Sequence, residues 1–463
     1  MVMALDTKKW AQQQFGECDL GDRRRTKRLV KMAERIANHP AGSFPDQMEH
    51  WGDVKAAYRL FDLEDVTFEA VASPHWEATR RREPGRYLIL NDTTEIDFGK
   101  DRKVEGLGPT GKGTGRGFLL HNGLMVDAEH KAVLGLAGQR IHYRKPASKK
   151  ENSSQRLQRR RESEVWGRLI DQIGPAQGET QFVHVCDRGA DNFEVFCHLV
   201  KNRCDWVIRT CSMHRSILTA GNERMPLSAF LETLPVVGEY ELHVRSRNNQ
   251  PARVARLEVR IGAIRMPVPR QKSPYVRKLR PQPIPMWVVW VREVDGPKGV
   301  EPIEWVLYTS LPVTTFEDAW RIIEYYEARW LIEEYHKALK SGCRVTERSL
   351  RTPARLEAMA GLLCVVAVRL LQLKSVARTD PGRPARQVVP PRWLAMLWAA
   401  RKNRLPAREL TVGEFYRELA KLGGFLGRRH DGEPGWITIW RGWEKLNALV
   451  RGAELAAQLK KCG

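Results

Sequence analysis

The sequence contains no C-x-x-C pair. Its eight cysteines (Cys18, Cys186, Cys197, Cys204, Cys211, Cys343, Cys364 and Cys462) are scattered, several inside apolar segments. That usage suits reduced, buried thiols rather than a disulfide frame or a zinc site. No Gly-rich phosphate loop or dinucleotide fingerprint follows any strand-like run, so nucleotide binding is unsupported. The most apolar stretch, Leu356–Leu373, carries Glu357 and Arg369, too short and too charged to span a bilayer, and reads as a buried helix. The N-terminus (MVMALDTKKWAQQQ) lacks an uninterrupted apolar run, and no secretory signal is expected. Acid is scarce too: 55 Asp and Glu stand against 77 Lys and Arg, a net charge of +22. A soluble chain this basic meets a polyanion, and nucleic acid in the cytoplasm is the leading expectation. At 463 residues the length allows roughly two to four domains.

What is present begins with helix. Asp22 is placed to cap a helix whose apolar stripe is Leu29, Met32 and Ile36. Its opening turns hold Arg23, Arg24, Arg25, Lys27 and Arg28, cations set against the helix macrodipole, where contact with phosphate gives them a purpose. Helical patterns continue through Val54–Phe61 and Thr67–Arg80. From Tyr87 the period changes: Tyr87–Asp92 is a continuous apolar run ending in a carboxylate, the pattern of a central strand. Gly117–Val126 and Ala132–Tyr143 are strand candidates, and a helix is expected within the Lys/Arg-rich Arg140–Ile173 stretch. Phe182–Asp187 then repeats the first pattern. A helix at Asp191–Lys201 and a strand at Trp206–Thr210 follow. Residues 215–300 read as a β-rich insertion, with strand-like Tyr240–Val244, Ala255–Ile261 and Met286–Val291. Trp305–Thr309 is strand-like, Thr315–Lys340 is expected to be one long amphipathic helix, and the chain from about Pro353 is mostly helical.

Two carboxylates at the C-terminal ends of neighbouring buried strands converge on one crevice. Without a phosphate loop, Asp92 and Asp187 therefore point to Mg²⁺, a hard cation that takes oxygen ligands. The Thr315–Lys340 helix adds a third element. At about 100° per residue, Tyr326, Arg329, Glu333 and Lys340 fall within an arc of about 60°, with Lys337 close by. A solvated, salt-bridged face explains such a pattern equally well until the two Asp residues give Glu333 something to join.

The spacing Y-x2-R-x3-E-x6-K on this helix resembles the signature of the bacterial insertion-sequence transposases of the IS-four group, in particular its Tn-five branch. The likeness spans nearly the whole chain. It includes W-A-x3-F and L-G-D-x-R-R-T-x-R-L (Trp10 to Leu29), D-T-T (Asp92 to Thr94), and V-C-D-R-x-A-D (Val185 to Asp191). It continues through W-x-L-x-T-S (Trp305 to Ser310), V-A-V-R-L-L-Q-L (Val366 to Leu373) and L-G-G-F (Leu422 to Phe425).

The resemblance implies an α/β fold: an RNase H-like catalytic core (residues 76–350) carrying the β-rich insertion, flanked by a helical DNA-binding domain (1–75) and a helical dimerisation domain (351–463). It implies a cut-and-paste DNA transposase whose catalytic and metal-binding carboxylates are Asp92, Asp187 and Glu333, with two Mg²⁺ per site and Mn²⁺ as a substitute. Tyr326, Arg329, Lys337 and Lys340 correspond to residues that hold phosphates beside the cut. Trp305 corresponds to the aromatic that stacks on a flipped base, Arg209 to a basic residue near the hairpinned end, and Arg24, Arg25 and Arg28 to DNA-contacting arginines. The implied partners are double-stranded DNA, as transposon ends and target, and a second copy of the chain, with Leu405–Leu459 (Trp436, Trp440, Trp443) as a pairing surface or ordinary core. The chain departs from the pattern at Arg351 and Arg355, where the family's acidic or amide side chains give way to cations. The alternatives are an RNase H-like structure-specific nuclease and a non-catalytic DNA-binding descendant.

Overall fold

The computed structural model describes residues 7–462 apart from 49, 112, 145–151, 153–160, 211, 245–250, 298, 402–407 and 429–430. Much of the basic Arg140–Arg161 stretch, with Cys211, thus lies outside the described residues.

One sheet organises the chain. Its strands are β1 (Arg86–Asp97), β2 (Gly108–Thr110), β3 (Gly115–Asp127), β4 (Val133–His142), β5 (Gln181–Cys186), β6 (Asp205–Arg209), β7 (Ser216–Thr219), β8 (Arg224–Pro226), β9 (Val236–Val244), β10 (Arg253–Met266), β11 (Ile284–Val294) and β12 (Glu304–Thr309). The order is β2-β3-β1-β5-β6-β12-β11-β10-β7-β8, with β4 also on β3 and β9 also on β10. β1, β5 and β6 run parallel, and β3 and β4 extend that trio antiparallel. Leu88, Ile89 and Leu90 are completely buried, the near-continuous apolar run of a strand covered on both faces. The β-rich insertion is no separate body. Its β11 pairs with β12, which pairs with β6, so the insertion continues the catalytic sheet. Its short β7 and β8 lack the alternation that would reveal them in sequence.

The helices are α1 (Thr7–Phe15), α2 (Arg23–Asn38), α3 (Phe44–Gln47), α4 (Trp51–Leu60), α5 (Phe68–Arg80), α6 (Glu164–Ile173), α7 (Phe193–Lys201), α8 (Leu227–Glu232), α9 (Pro274–Leu279), α10 (Phe316–Glu327), α11 (Trp330–Lys337), α12 (Pro353–Thr379), α13 (Pro391–Ala400), α14 (Val412–Leu422) and α15 (Trp436–Cys462). Asp22 does cap α2, accepting from the Arg24 N–H. α12 is longer than the apolar stretch that suggested it. Length and composition alone would let it cross a membrane, but 89% of its apolar window is buried inside the protein. It is the central core helix. Leu362, Leu363 and Val366 are fully covered within a core shared with Phe68 of α5, Leu88 of β1 and Ile332 of α11. Cutting Leu363 to Ala would cost about 2–5 kcal/mol. A second core covers the opposite face of the sheet under α6 and α7, and a third joins α13, α14 and α15. Cys18, Cys186, Cys197, Cys204, Cys343 and Cys364 are buried and unpaired in disulfides.

Two expectations need correction. Asp92 does not end its strand: β1 continues to Asp97 because β3 keeps pairing with it after β5 has stopped. The Thr315–Lys340 segment is also not one continuous α-helix. At Ala328–Arg329 the bonding tightens to a three-residue step, with Leu331 N–H donating to Ala328 O at 3.0 Å and Ile332 N–H to Arg329 O at 3.1 Å. After Lys337 it loosens into a π-turn, Ala338–Gly342. Such irregular turns concentrate at functional sites.

Candidate active site

The parallel register of β1 and β5 ends at Asn91 opposite Cys186. The next residues, Asp92 and Asp187, therefore leave the paired region side by side. Asp187 starts a 3₁₀ turn and accepts the Gly189 N–H at 2.8 Å. Asp92 accepts the Thr93 N–H at 2.8 Å. α11 crosses this edge, and the Arg329 guanidinium at its start lies between two carboxylates: 3.4 Å from Asp92 and 2.7 Å from Glu333. Burial and the neighbouring Asp187 push the Asp92 carboxyl up to about 6, with Glu333 adding to the rise, while the Thr93 N–H and Arg329 only partly oppose it.

Asp92 and Glu333 share the Arg329 guanidinium, and Asp187 is near enough to Asp92 to raise its carboxyl. The all-oxygen donor set suits a hard divalent ion. Among the described residues, no three His, Cys, Asp or Glu side chains close on one point as a ready-made shell; Arg329 lies between Asp92 and Glu333 instead.

The structure brings the other aromatic and basic candidates to the same edge. Trp305, half-buried on β12, stands 6.0 Å from the Tyr326 ring, and the Arg329 guanidinium lies 6.0 Å from the same ring. Arg209, opposite Leu307 on β12, donates to Glu304 O at 3.0 Å. Lys340, on the π-turn, is half-buried and its pKa is lowered by that burial, against the pull of Glu95, Asp97 and Asp92. Lys337 is exposed one turn from Glu333.

The N-terminal arginines divide. Arg24 is exposed, its guanidinium 2.8 Å from Asp22. Arg25 pairs with Asp65 at 2.7 Å, and Arg28 is drawn to Asp53 at 2.5 Å alongside Lys31 and Arg35. In the insertion, Arg253 is committed to a buried pair with Glu293. Arg355, one of the two departures from the family pattern, pairs with Asp62, and Arg351 is exposed. Trp436, Trp440 and Trp443 turn inward, Trp443 lying 4.9 Å from Trp393. The outer face of α15 instead shows Ile437, Leu449, Leu455 and Leu459.

Sequence reading missed the groups that hold α11 in place. His336 meets the Asn122 side chain at 3.0 Å, and Asn122 sits opposite Asp92 in β3. Glu334 pairs with Lys374 of α12. A buried acid beside the signature Glu was the available signal, since Glu334 falls on the apolar side of the helix.

Residues 7–66 match a family model described as transposase DNA-binding, residues 156–369 one described as transposase DDE domain, and residues 365–463 one described as Tn5 transposase dimerisation domain. Among solved structures, the chain is similar to a piggyBac transposase in a cryo-EM synaptic complex with hairpin DNA. The identity is 10% over 81% of this chain and 77% of that one, with a TM-score of 0.41.

Proposed function

Since the chain belongs to the Tn5-like DDE transposases, we propose that it cuts a mobile element out of double-stranded DNA and pastes it into a target through a hairpin intermediate. Asp92, Asp187 and Glu333 are the catalytic carboxylates and would hold two Mg²⁺ ions, or Mn²⁺ in their place. Metal bound there supplies charge neutralisation at the transferring phosphoryl group and a lowered pKa for the attacking water or hydroxyl.

The chain's own residues do the rest. Arg329, Tyr326, Lys337 and Lys340 bind the phosphates beside the cut and keep the scissile one in line with its attacker. In the first step water attacks the phosphate at the element's end and the 3′ oxygen leaves. The freed 3′-OH then attacks the opposite strand, displacing the flanking DNA and closing a hairpin. Water opens the hairpin, and the same 3′-OH attacks target DNA, so one phosphodiester forms as another breaks. A hairpin bends its end nucleotides, and a base expelled from the stack is received on Trp305, which offsets about 1–3 kcal/mol of lost stacking. Arg209 lies beside Trp305 to meet the backbone of that end. Arg24, Arg25 and Arg28 face the end DNA from α2, with the exposed Arg24 the freest to do so.

DNA and a second copy of the chain are the partners, and the exposed apolar face of α15 is the pairing surface we favour. The protein works in the cytoplasm, at the nucleoid. The residue ranges 1–75, 76–350 and 351–463 serve DNA binding, chemistry and pairing respectively.

What supports the reading is Asp92 and Glu333 on one Arg329, with Asp187 beside Asp92. The test is an Asp187→Ala variant on a duplex bearing the inverted repeats that flank the coding region. End binding should persist while nicking and joining vanish. A variant that still cuts in Mg²⁺ refutes the assignment.

A further inference from the structure

Glu333 stands on a short helix whose apolar side, Leu331, Ile332 and Tyr335, packs into the main core. α11 is bounded by the tightened step at Ala328–Arg329 on one side and the π-turn on the other, so its bonding pattern changes at both ends. Beside it opens a surface groove of about 300 Å³ lined by Ala328, Trp330, Leu331, Glu334, Lys374 and Arg378 among others. On this groove side, where Trp330 is exposed, the helix is less closely covered. Side-chain anchors take over. One is His336 against Asn122. The other is an ion cluster: Lys374 of α12 pairs with Glu334, both almost completely buried, and Arg378 lies 3.5 Å from the same carboxylate. The Lys374 ammonium also sits 4.3 Å from the ring centre of Trp436, on α15.

Trp436, Lys374, Glu334 and Glu333 thus form a continuous chain from the last helix to the active edge. Glu334 is one residue, or about 100° of helix, from Glu333, so a rotation that relaxes one carboxylate displaces the other. We infer that Lys374 is a positioning residue: it turns α11 to present Glu333 to Asp92 and Asp187, and through Trp436 it makes that presentation depend on how α15 is seated. This inference rests on the catalytic reading of Glu333 and adds to it a coupling between the pairing helix and the chemistry. A buried cation and anion hold each other strongly, and deleting one leaves the other uncompensated. A cluster that orients a metal-ligating side chain is worth about 10–100-fold in metal affinity or activity.

The test uses the full chain, with Mn²⁺ binding followed by electron paramagnetic resonance and end cleavage measured against Mn²⁺ concentration. Lys374→Met should weaken Mn²⁺ binding and raise the concentration for half-maximal cleavage in parallel, each by about tenfold or more, with end-DNA affinity unchanged. Lys374→Arg should restore both. Trp436→Leu should move both the same way by a smaller factor, and it carries the test if Lys374→Met fails to fold. Wild-type Mn²⁺ affinity in both Lys374→Met and Trp436→Leu would overturn the coupling, as would Lys374→Arg being as impaired as Lys374→Met. Glu333→Gln separates the two levels. If it leaves Mn²⁺ binding intact, the assignment of Glu333 fails; if it abolishes binding while Lys374→Met does not, only the coupling fails.

Discussion

Asp53 and Asp92 are both largely buried aspartates in one basic protein, and their surroundings are opposites. Asp53, on α4, is shared by Arg35, Arg28 and Lys31 of α2. Hydrogen bonds from Arg35 and Arg28 drive its carboxyl below the ordinary range. At Asp92 the Arg329 guanidinium is shared with Glu333, and burial together with Asp187 drives the carboxyl up to about 6. One site is satisfied from within the chain and clamps two helices together. The other is raised first by burial and then by a neighbouring carboxylate. Net charge describes neither site; the immediate surroundings of each carboxylate set its pKa.

The largest effect expected from breaking this contrast is at the acid-rich edge. Asp187→Ala should lower the nicking rate by at least about a thousandfold, or about 4 kcal/mol of transition-state stabilisation, read on a denaturing gel with end binding intact. Next comes the aromatic beside it. Trp305→Ala should accumulate nicked ends while hairpin yield falls about tenfold, the size of one lost stack; a normal yield returns Trp305 to the core.

Stability then gives the two aspartates opposite signs. Asp53→Asn should cost about 1–3 kcal/mol at pH 7, because three cations lose their shared partner. The Asp53 carboxyl is depressed on folding, so its contribution is present above the unfolded pKa of about 4 and fades as pH falls below it. Asp92 is raised on folding. The native state holds the proton more tightly, so stability of the metal-free protein should decline as pH rises from about 4 through about 6. Asp92→Asn should therefore raise the melting temperature in chelator at pH 8 and leave it nearly unchanged at pH 4. A destabilised Asp92→Asn at pH 8 would contradict the raised carboxyl. The smallest effect is at the surface. Arg24→Ala should weaken end binding a few-fold and reduce the slope of log affinity against log salt by about one, as measured by anisotropy titration.

Much of this was legible in advance for definite reasons. The strands that deliver Asp92 and Asp187 announce themselves as apolar runs leading to a carboxylate, and the Tyr326–Lys340 spacing aligns its polar groups at helical pitch. What escaped depends on contacts between distant segments. Nothing near Lys374 says that it meets Glu334, forty positions earlier. The breaks around α11 leave no mark in a pattern that stays amphipathic throughout. β1 outruns Asp92 because β3, a long way along the chain, goes on pairing with it. Arg28 reads like Arg24 in sequence, and only the fold sets Asp53 beside the one and leaves the other exposed.

The most direct test of the central claim is to count Mn²⁺ bound per chain by electron paramagnetic resonance, in wild-type protein and in Asp92→Asn, at pH 8. Two ions in the wild type, with loss of at least one in the variant, would match a carboxylate edge that holds metal through Asp92. Equal binding in both proteins would contradict it.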